Sequence, residues 1–124
     1  MESLLTVQQA AAETGLSGHT LRYYERIGLI ERVNRAGNGH RRYADHDLDS
    51  IELYKCLRAS GMSIERMKQF STLVRSGDDT LGARLELLAE HRRAVLDGIE
   101  ELKRCLEVIE DKIDCYTTTQ EEAL

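Results

Sequence analysis

Proline and tryptophan are absent from the 124 residues, phenylalanine occurs once and cysteine three times. No collagen-like repeat fits that composition. Apolar runs never exceed a few residues, and Met1 to Val7 lacks a basic region followed by an apolar core. Neither a membrane-spanning helix nor a signal peptide is expected, which predicts a cytoplasmic protein with no membrane partner. Cys56, Cys105 and Cys115 form an odd set at wide spacings, without a CxxC pair. That pattern excludes a disulfide framework and a zinc knuckle, and predicts reduced thiols. His19, His40, His46 and His91 show no metal-ligand spacing, no glycine-rich phosphate loop follows a strand, and no Cys/His pairing is suggested. An enzyme is therefore not expected, and no metal or cofactor is implied.

With 41% apolar and 31% charged residues, the chain has the composition of one soluble globular domain. Its net charge of −5 would oppose nucleic acid if it were spread evenly. It is not. Ser17 to Tyr43 holds six arginines (Arg22, Arg26, Arg32, Arg35, Arg41, Arg42) against Glu25 and Glu31, a balance of +4. Ser76 to Leu124 holds 6 basic and 13 acidic residues, hence −7. A polyanion would be attracted to the first segment and repelled by the second, so charge would orient the molecule on it.

Thr6 to Gln9 has the form of a capping box and predicts a helix from Val7 to about Thr14, stopped by Gly15. Ser17 can cap a second helix through about Arg26, so two helices are separated by a tight turn, a helix-turn-helix layout. Leu21 and Tyr24 share one side of the second helix, leaving Thr20, Arg22 and Tyr23 to point elsewhere. After Gly28, Leu29 to Tyr43 reads as two short extended runs around Ala36-Gly37-Asn38-Gly39, a hairpin or wing. Asp45 is expected to cap a third helix. Its apolar residues Leu48, Ile51, Leu53, Tyr54, Cys56 and Leu57 spread nearly all round, as expected of a helix buried within a small domain. Gly61 should stop it. Ser63 can cap a fourth helix, with Met62 and Met67 placed as a hydrophobic staple.

From residue 81 to 116, eleven positions recur at alternating intervals of four and three, and ten are apolar: Leu81, Leu85, Leu88, Val95, Ile99, Leu102, Leu106, Ile109, Ile113 and Tyr116. Arg92 is the exception. Sustained heptads with charged flanks predict a coiled coil, about 50 Å long at 1.5 Å per residue. No more than 80 residues precede it, and they could not cover that length, so a homodimer is expected, with Leu85, Leu88, Val95, Ile99, Leu102, Leu106, Ile109 and Ile113 at the seam. The organisation is therefore a winged helix-turn-helix domain over residues 1–77, a dimerisation helix over 78–116 and a polar, frayed tail over 117–124.

A helix that reads a major groove needs long donors beside a positioning surface, and Arg22 and Tyr23 stand where those contacts belong. Arg41, Arg42 and Tyr43 lie beside the glycine turn of the wing, where backbone can approach a phosphate. The run Thr20-Leu21-Arg22-Tyr23-Tyr24-Glu25-Arg26-Ile27-Gly28-Leu29-Ile30, then His40-Arg41-Arg42-Tyr43 and Asp47-Leu48, resembles the signature of the MerR family of transcription regulators. The resemblance covers nearly the whole chain. It implies a mostly α fold, with a winged helix-turn-helix domain followed by a long helix that pairs antiparallel in a homodimer. It also implies binding to a palindromic promoter whose spacer is too long for RNA polymerase, and a transcriptional effect exerted by distorting that spacer. Arg22, Tyr23, Arg41, Arg42 and Tyr43 would contact DNA, with Thr20 and Arg26 counted beside them, and Tyr24 would pack inside.

Only eight residues follow Tyr116, so the short form of the family, without a large effector domain, is expected. A metal-responsive member would place a cysteine or serine at the start of the long helix and a cysteine pair after it, where this chain has Thr80 and a lone Cys115. Cys56 lies in the third helix between Lys55 and Arg58, two cations able to stabilise a thiolate. That context resembles the thiol- and aldehyde-sensing branch of the family, which makes Cys56 either an electrophile sensor or a small buried packing residue. A coiled-coil adaptor that grips protein instead of DNA is the remaining alternative, separable by the salt dependence of binding.

Overall fold

The computed structural model describes residues 4–30, 34–35 and 41–123, the side chains of Asn34, Arg35, Arg41 and Arg42 excepted. The chain is mostly helical. In order it forms α1 (Val7–Thr14), α2 (Gly18–Arg26), β1 (Asn34–Arg35), β2 (Arg41–Arg42), α3 (Asp45–Ala59), α4 (Ile64–Arg75), a 3-10 turn (Asp78–Thr80) and α5 (Leu81–Glu122). Two compact units divide between Leu85 and Glu86. No helix of the described residues is long and apolar enough to cross a membrane.

Helix boundaries in the first unit follow local chemistry. The Gln9 N–H donates to Thr6 Oγ1 at 3.1 Å while the Thr6 N–H donates to Gln9 Oε1 at 2.9 Å, so two otherwise orphaned amides at the start of α1 are satisfied reciprocally. Gly15 ends α1 at φ +75, a left-handed conformation that costs glycine nothing. Ser17 caps α2 through the Thr20 N–H and Ser63 caps α4 through the Arg66 N–H, both at 3.1 Å. Met62 and Met67, flanking the Ser63 cap, are both buried, as a hydrophobic staple requires.

The third helix departs from expectation in two ways. Its cap is Ala44, which has no side-chain acceptor; the Asp47 carboxylate reaches back to take the Ala44 N–H at 2.9 Å, and Asp45 is the first helical residue. The start is fixed from upstream, because Tyr43 pairs with Leu5 through two backbone hydrogen bonds of 2.7 Å and carries extended chain through Ala44. Nor is α3 buried all round. Ile51, Tyr54 and Leu57 face the core, while Leu53 and Cys56 are exposed, because α1 and α4, the helices that pack on α3, cover one side of it.

That core joins Ala10 of α1, Leu21 and Tyr24 of α2, Leu29, Ile30 and Tyr43 around the wing, the α3 face, and Met67 and Phe70 of α4. Tyr54 and Phe70 meet edge to face at 6.3 Å. Strands β1 and β2 are antiparallel, with Asn34 opposite Arg42 and Arg35 opposite Arg41. The expected turn at Ala36 to Gly39 lies outside the described residues.

The unit continues past residue 77, the expected boundary. Thr80 Oγ1 donates to Leu73 O at 2.6 Å, and Arg84 donates to Gly77 O at 2.6 Å and Thr80 Oγ1 at 2.9 Å, which ties the first turn of α5 to the end of α4. The second unit is the remainder of α5. The helix runs to Glu122, so residues 117–122 are helical rather than frayed. Thr117 and Thr119 return their hydroxyl protons to the carbonyls of Ile113 and Cys115, at 2.8 and 2.9 Å, and no proline interrupts the turn.

Candidate nucleic-acid interface

The second helix is nine residues long and divides its side chains sharply. Leu21 and Tyr24 are buried against the core, Arg22 and Arg26 are exposed, and Thr20 and Tyr23 are half-buried between them. Arg22 and Arg26 are four residues apart and so share a face. The Arg26 guanidinium lies 5.5 Å from the centroid of the Tyr23 ring, whose face holds the cation without neutralising it. Tyr23 in turn sits 6.2 Å from the Tyr24 ring, so the outer aromatic is braced by the inner one. The Thr20 hydroxyl accepts from Ser17 Oγ at 3.0 Å and is part of the helix cap.

Close approach of α1 to α2 depends on Gly18, since a Cβ there would meet Val7 Cγ1 at 2.9 Å. The same site leaves room for Arg22 to fold back, with its guanidinium 3.5 Å from that Cβ position. Burial raises the Tyr24 hydroxyl above its ordinary pKa, against the lowering effect of the Arg58 charge, so Tyr24 stays neutral beneath the arginines.

On the wing, the backbones of Arg41 and Arg42 lie in β2; what their side chains touch lies outside the described residues. Tyr43 is not a surface residue. It is 0% exposed, one of the largest fully buried side chains, and its backbone bridges to Leu5. The expectation that Tyr43 contacts DNA is therefore corrected: extended pairing with the N-terminal segment, which local sequence does not reveal, turns the ring into the core.

Cys56 is an exposed thiol in the single chain. Neither neighbouring cation is committed to it. Lys55 Nζ donates to Thr14 O at 2.6 Å and Arg58 Nη1 to Met62 O at 3.2 Å. Cys105 and Cys115 are exposed on α5, where Cys105 Sγ lies 3.9 Å from Glu101 Oε1. Along α5, the expected seam residues Leu85, Ile99, Leu102, Leu106, Ile109 and Ile113 are exposed in the single chain, and Leu88 and Val95 are half-buried.

Sequence and structure comparisons agree on the family. Residues 5–72 match the MerR HTH family regulatory protein family. An HTH-type transcriptional regulator of Haemophilus influenzae is 40% identical over 111 residues, covering 90% of this chain and 82% of that protein. The HTH-type transcriptional regulator AdhR of Bacillus subtilis is 42% identical over 93 residues, 75% of this chain and 66% of AdhR. Among solved structures, HiNmlR, a MerR family regulator lacking the sensor domain and bound to promoter DNA, superposes with a TM-score of 0.89 at 37% identity. That superposition covers 95% of this chain and 94% of HiNmlR. With a helix-turn-helix of this geometry and a family match over more than half its length, the chain belongs to the MerR family of transcription regulators.

Proposed function

We propose that the protein binds a palindromic promoter duplex as a homodimer, with α2 of each copy in a major groove and the wings on the flanking phosphates. The observation that carries this reading is the division of α2, which offers Arg22, Tyr23 and Arg26 outward from a helix anchored by Leu21 and Tyr24. Arginine in such a position can bond base edges bidentately, and the β2 arginines Arg41 and Arg42 supply phosphate contacts that fix register. HiNmlR bound to promoter DNA gives the precedent for a chain of this shape.

Dimerisation falls to α5, whose apolar seam would otherwise face water along a 42-residue helix roughly 60 Å long. Two recognition helices joined through the dimer that fit a palindrome only after it bends or untwists would reshape the promoter spacer for RNA polymerase, with a deformation cost of about 1–6 kcal/mol repaid by contacts. An electrophile or oxidant would enter the circuit at the exposed Cys56 thiol of α3.

The test is to sequence the DNA fragments that co-purify with the protein and titrate the recovered duplex at several salt concentrations. A palindromic duplex is expected, bound with an affinity that falls steeply with salt as counterions are released. Recovery of no enriched sequence, or binding indifferent to salt, would overturn the proposal in favour of a protein-binding adaptor.

A further inference from the structure

Three side chains, Lys55, Ser71 and Arg75, hydrogen bond across more than 40 residues of sequence to backbone carbonyls flanking α2. Before the helix, Lys55 Nζ of α3 donates to Thr14 O at 2.6 Å, across 41 residues. After it, Ser71 Oγ of α4 lies 3.0 Å from Gly28 O and 2.9 Å from Leu29 O, and Arg75 Nη1 donates to the same Gly28 O at 2.9 Å. Tyr54 of α3 meets Phe70 of α4 edge to face at 6.3 Å, so the two supporting helices act on one another as well as on the recognition helix.

These carbonyls need partners. Thr14 is the last residue of α1, where carbonyls have no intrahelical donor and the helix dipole favours a cation. Lys55 supplies both the donor and the charge. At the far end, the Ile27, Gly28 and Leu29 amides return to carbonyls of Tyr23, Glu25 and Tyr24, which leaves the Gly28 and Leu29 oxygens facing α4. Burial of Leu21 and Tyr24 anchors the middle of α2. Bonds at both flanks, from two different helices, restrain its ends.

We infer that Lys55 and Arg75 are positioning residues for DNA recognition: they hold α2 in the orientation that lets Arg22 and Arg26 meet base edges, without touching DNA themselves. The inference rests on the proposed role of α2 in DNA reading. A recognition helix displaced by about 1 Å would keep its charge and its attraction to phosphates while losing the geometry of bidentate base contacts. Loss of either link should therefore weaken sequence discrimination more than it weakens DNA binding as such.

The probe is the duplex that the parent protein enriches from a random-sequence pool, compared with a random duplex of equal length. Lys55→Gln and Arg75→Gln are each expected to weaken the enriched duplex about tenfold, the size of one hydrogen bond to a charged group. Affinity for the random duplex and the salt slope should stay at the parent values, and Lys55→Arg and Arg75→Lys, which retain a charged donor, should recover most of the loss. Thermal unfolding of each variant is followed in parallel. Parent-like binding of the enriched duplex by both glutamine variants would overturn the inference. So would a salt slope reduced by about one, which would put the side chain on a phosphate. Equal loss on both duplexes in step with the folded fraction would reduce the two residues to stabilising the fold. If the parent enriches no sequence at all, DNA reading by α2 itself fails, a result distinct from any variant effect.

Discussion

Ile99→Asp is the sharpest perturbation of the proposed dimer, because Ile99 lies at the middle of the apolar stretch from Leu81 to Tyr116 and is 44% exposed in the single chain. An antiparallel pairing over that whole stretch brings the two copies of position 99 close to the dyad. Full burial of an isoleucine stabilises by about 1.5–3 kcal/mol, so covering the remaining exposed part contributes about 1 kcal/mol per copy. Aspartate removes that from both copies and places two like charges in an apolar seam, where each unpaired charge costs several kcal/mol. The total is at least about 5 kcal/mol, which at 1.4 kcal/mol per tenfold raises the dimer dissociation constant more than about a thousandfold. The monomer has little reason to unfold, since a surface substitution on an exposed helix face changes stability by only about 0.5 kcal/mol. Light scattering at micromolar concentration should give a dimer mass for the parent and a monomer mass for the variant, with unchanged helical circular dichroism. A monomeric parent, or a variant that stays dimeric, would refute the reasoning.

Three further outcomes are expected. Arg22→Ala should lose about 1–3 kcal/mol on the enriched duplex with little change on random DNA, while Arg41→Ala and Arg42→Ala should weaken both duplexes and flatten the salt slope by about one each; titrations at several salt concentrations check this, and normal promoter binding by the triple variant would end the winged-helix assignment. Cys56→Ser should leave DNA affinity unchanged and abolish the transcriptional response to formaldehyde, methylglyoxal or a nitrosothiol, measured with a promoter reporter; a parent-like response in the serine protein, lost instead in Cys105→Ser or Cys115→Ser, moves the sensor to α5. Burial raises the Tyr24 and Tyr54 hydroxyls above the ordinary value of 10.0 in the folded state, so above that pH the unfolded chain ionises first and unfolding releases protons. Stability should hold up to about pH 10 and fall beyond it, and Tyr54→Phe should blunt the fall in thermal midpoint.

Helix starts and stops were legible in the sequence wherever the chemistry is local. Thr6 with Gln9, Ser17, Ser63 and the left-handed Gly15 each act within three or four residues of where they stand, and each is found doing so. The heptads of α5 were legible for the same reason, because one helix repeats one rule. Failures begin where a distant partner decides. Tyr43 looks like a wing residue until Leu5, 38 positions earlier, pairs with it and draws it inside. Asp45 has the right chemistry for a cap, yet the extended chain set by that pairing makes Ala44 the boundary and leaves Asp47 to supply the acceptor. The apolar circumference of α3 gave no sign of which side its neighbours would leave open, and Leu53 and Cys56 ended on that side.

The same division between local and distant partners bears on how such a regulator can be tuned. Arg22 and Arg26 announce themselves by lying on the proposed reading helix, whereas Lys55 and Arg75 look in sequence like ordinary solvated charge, since no local signal marks a donor whose acceptor is a backbone carbonyl 41 or 47 residues away. Backbone acceptors are also indifferent to sequence. Thr14 O and Gly28 O persist whatever side chains α2 carries, so the reading face can change while its supports remain, and the supports can change while the reading face remains. Cys56 immediately follows Lys55 on α3. On an exposed thiol an adduct need not overpack the core, and the neighbouring Lys55 ammonium on Thr14 O offers one physical route towards the recognition helix. If the sensor acts by that route, Lys55→Gln should uncouple the reporter from the electrophile while Cys56 remains free to be modified, a separation that mass spectrometry of the variant and the promoter reporter can measure together.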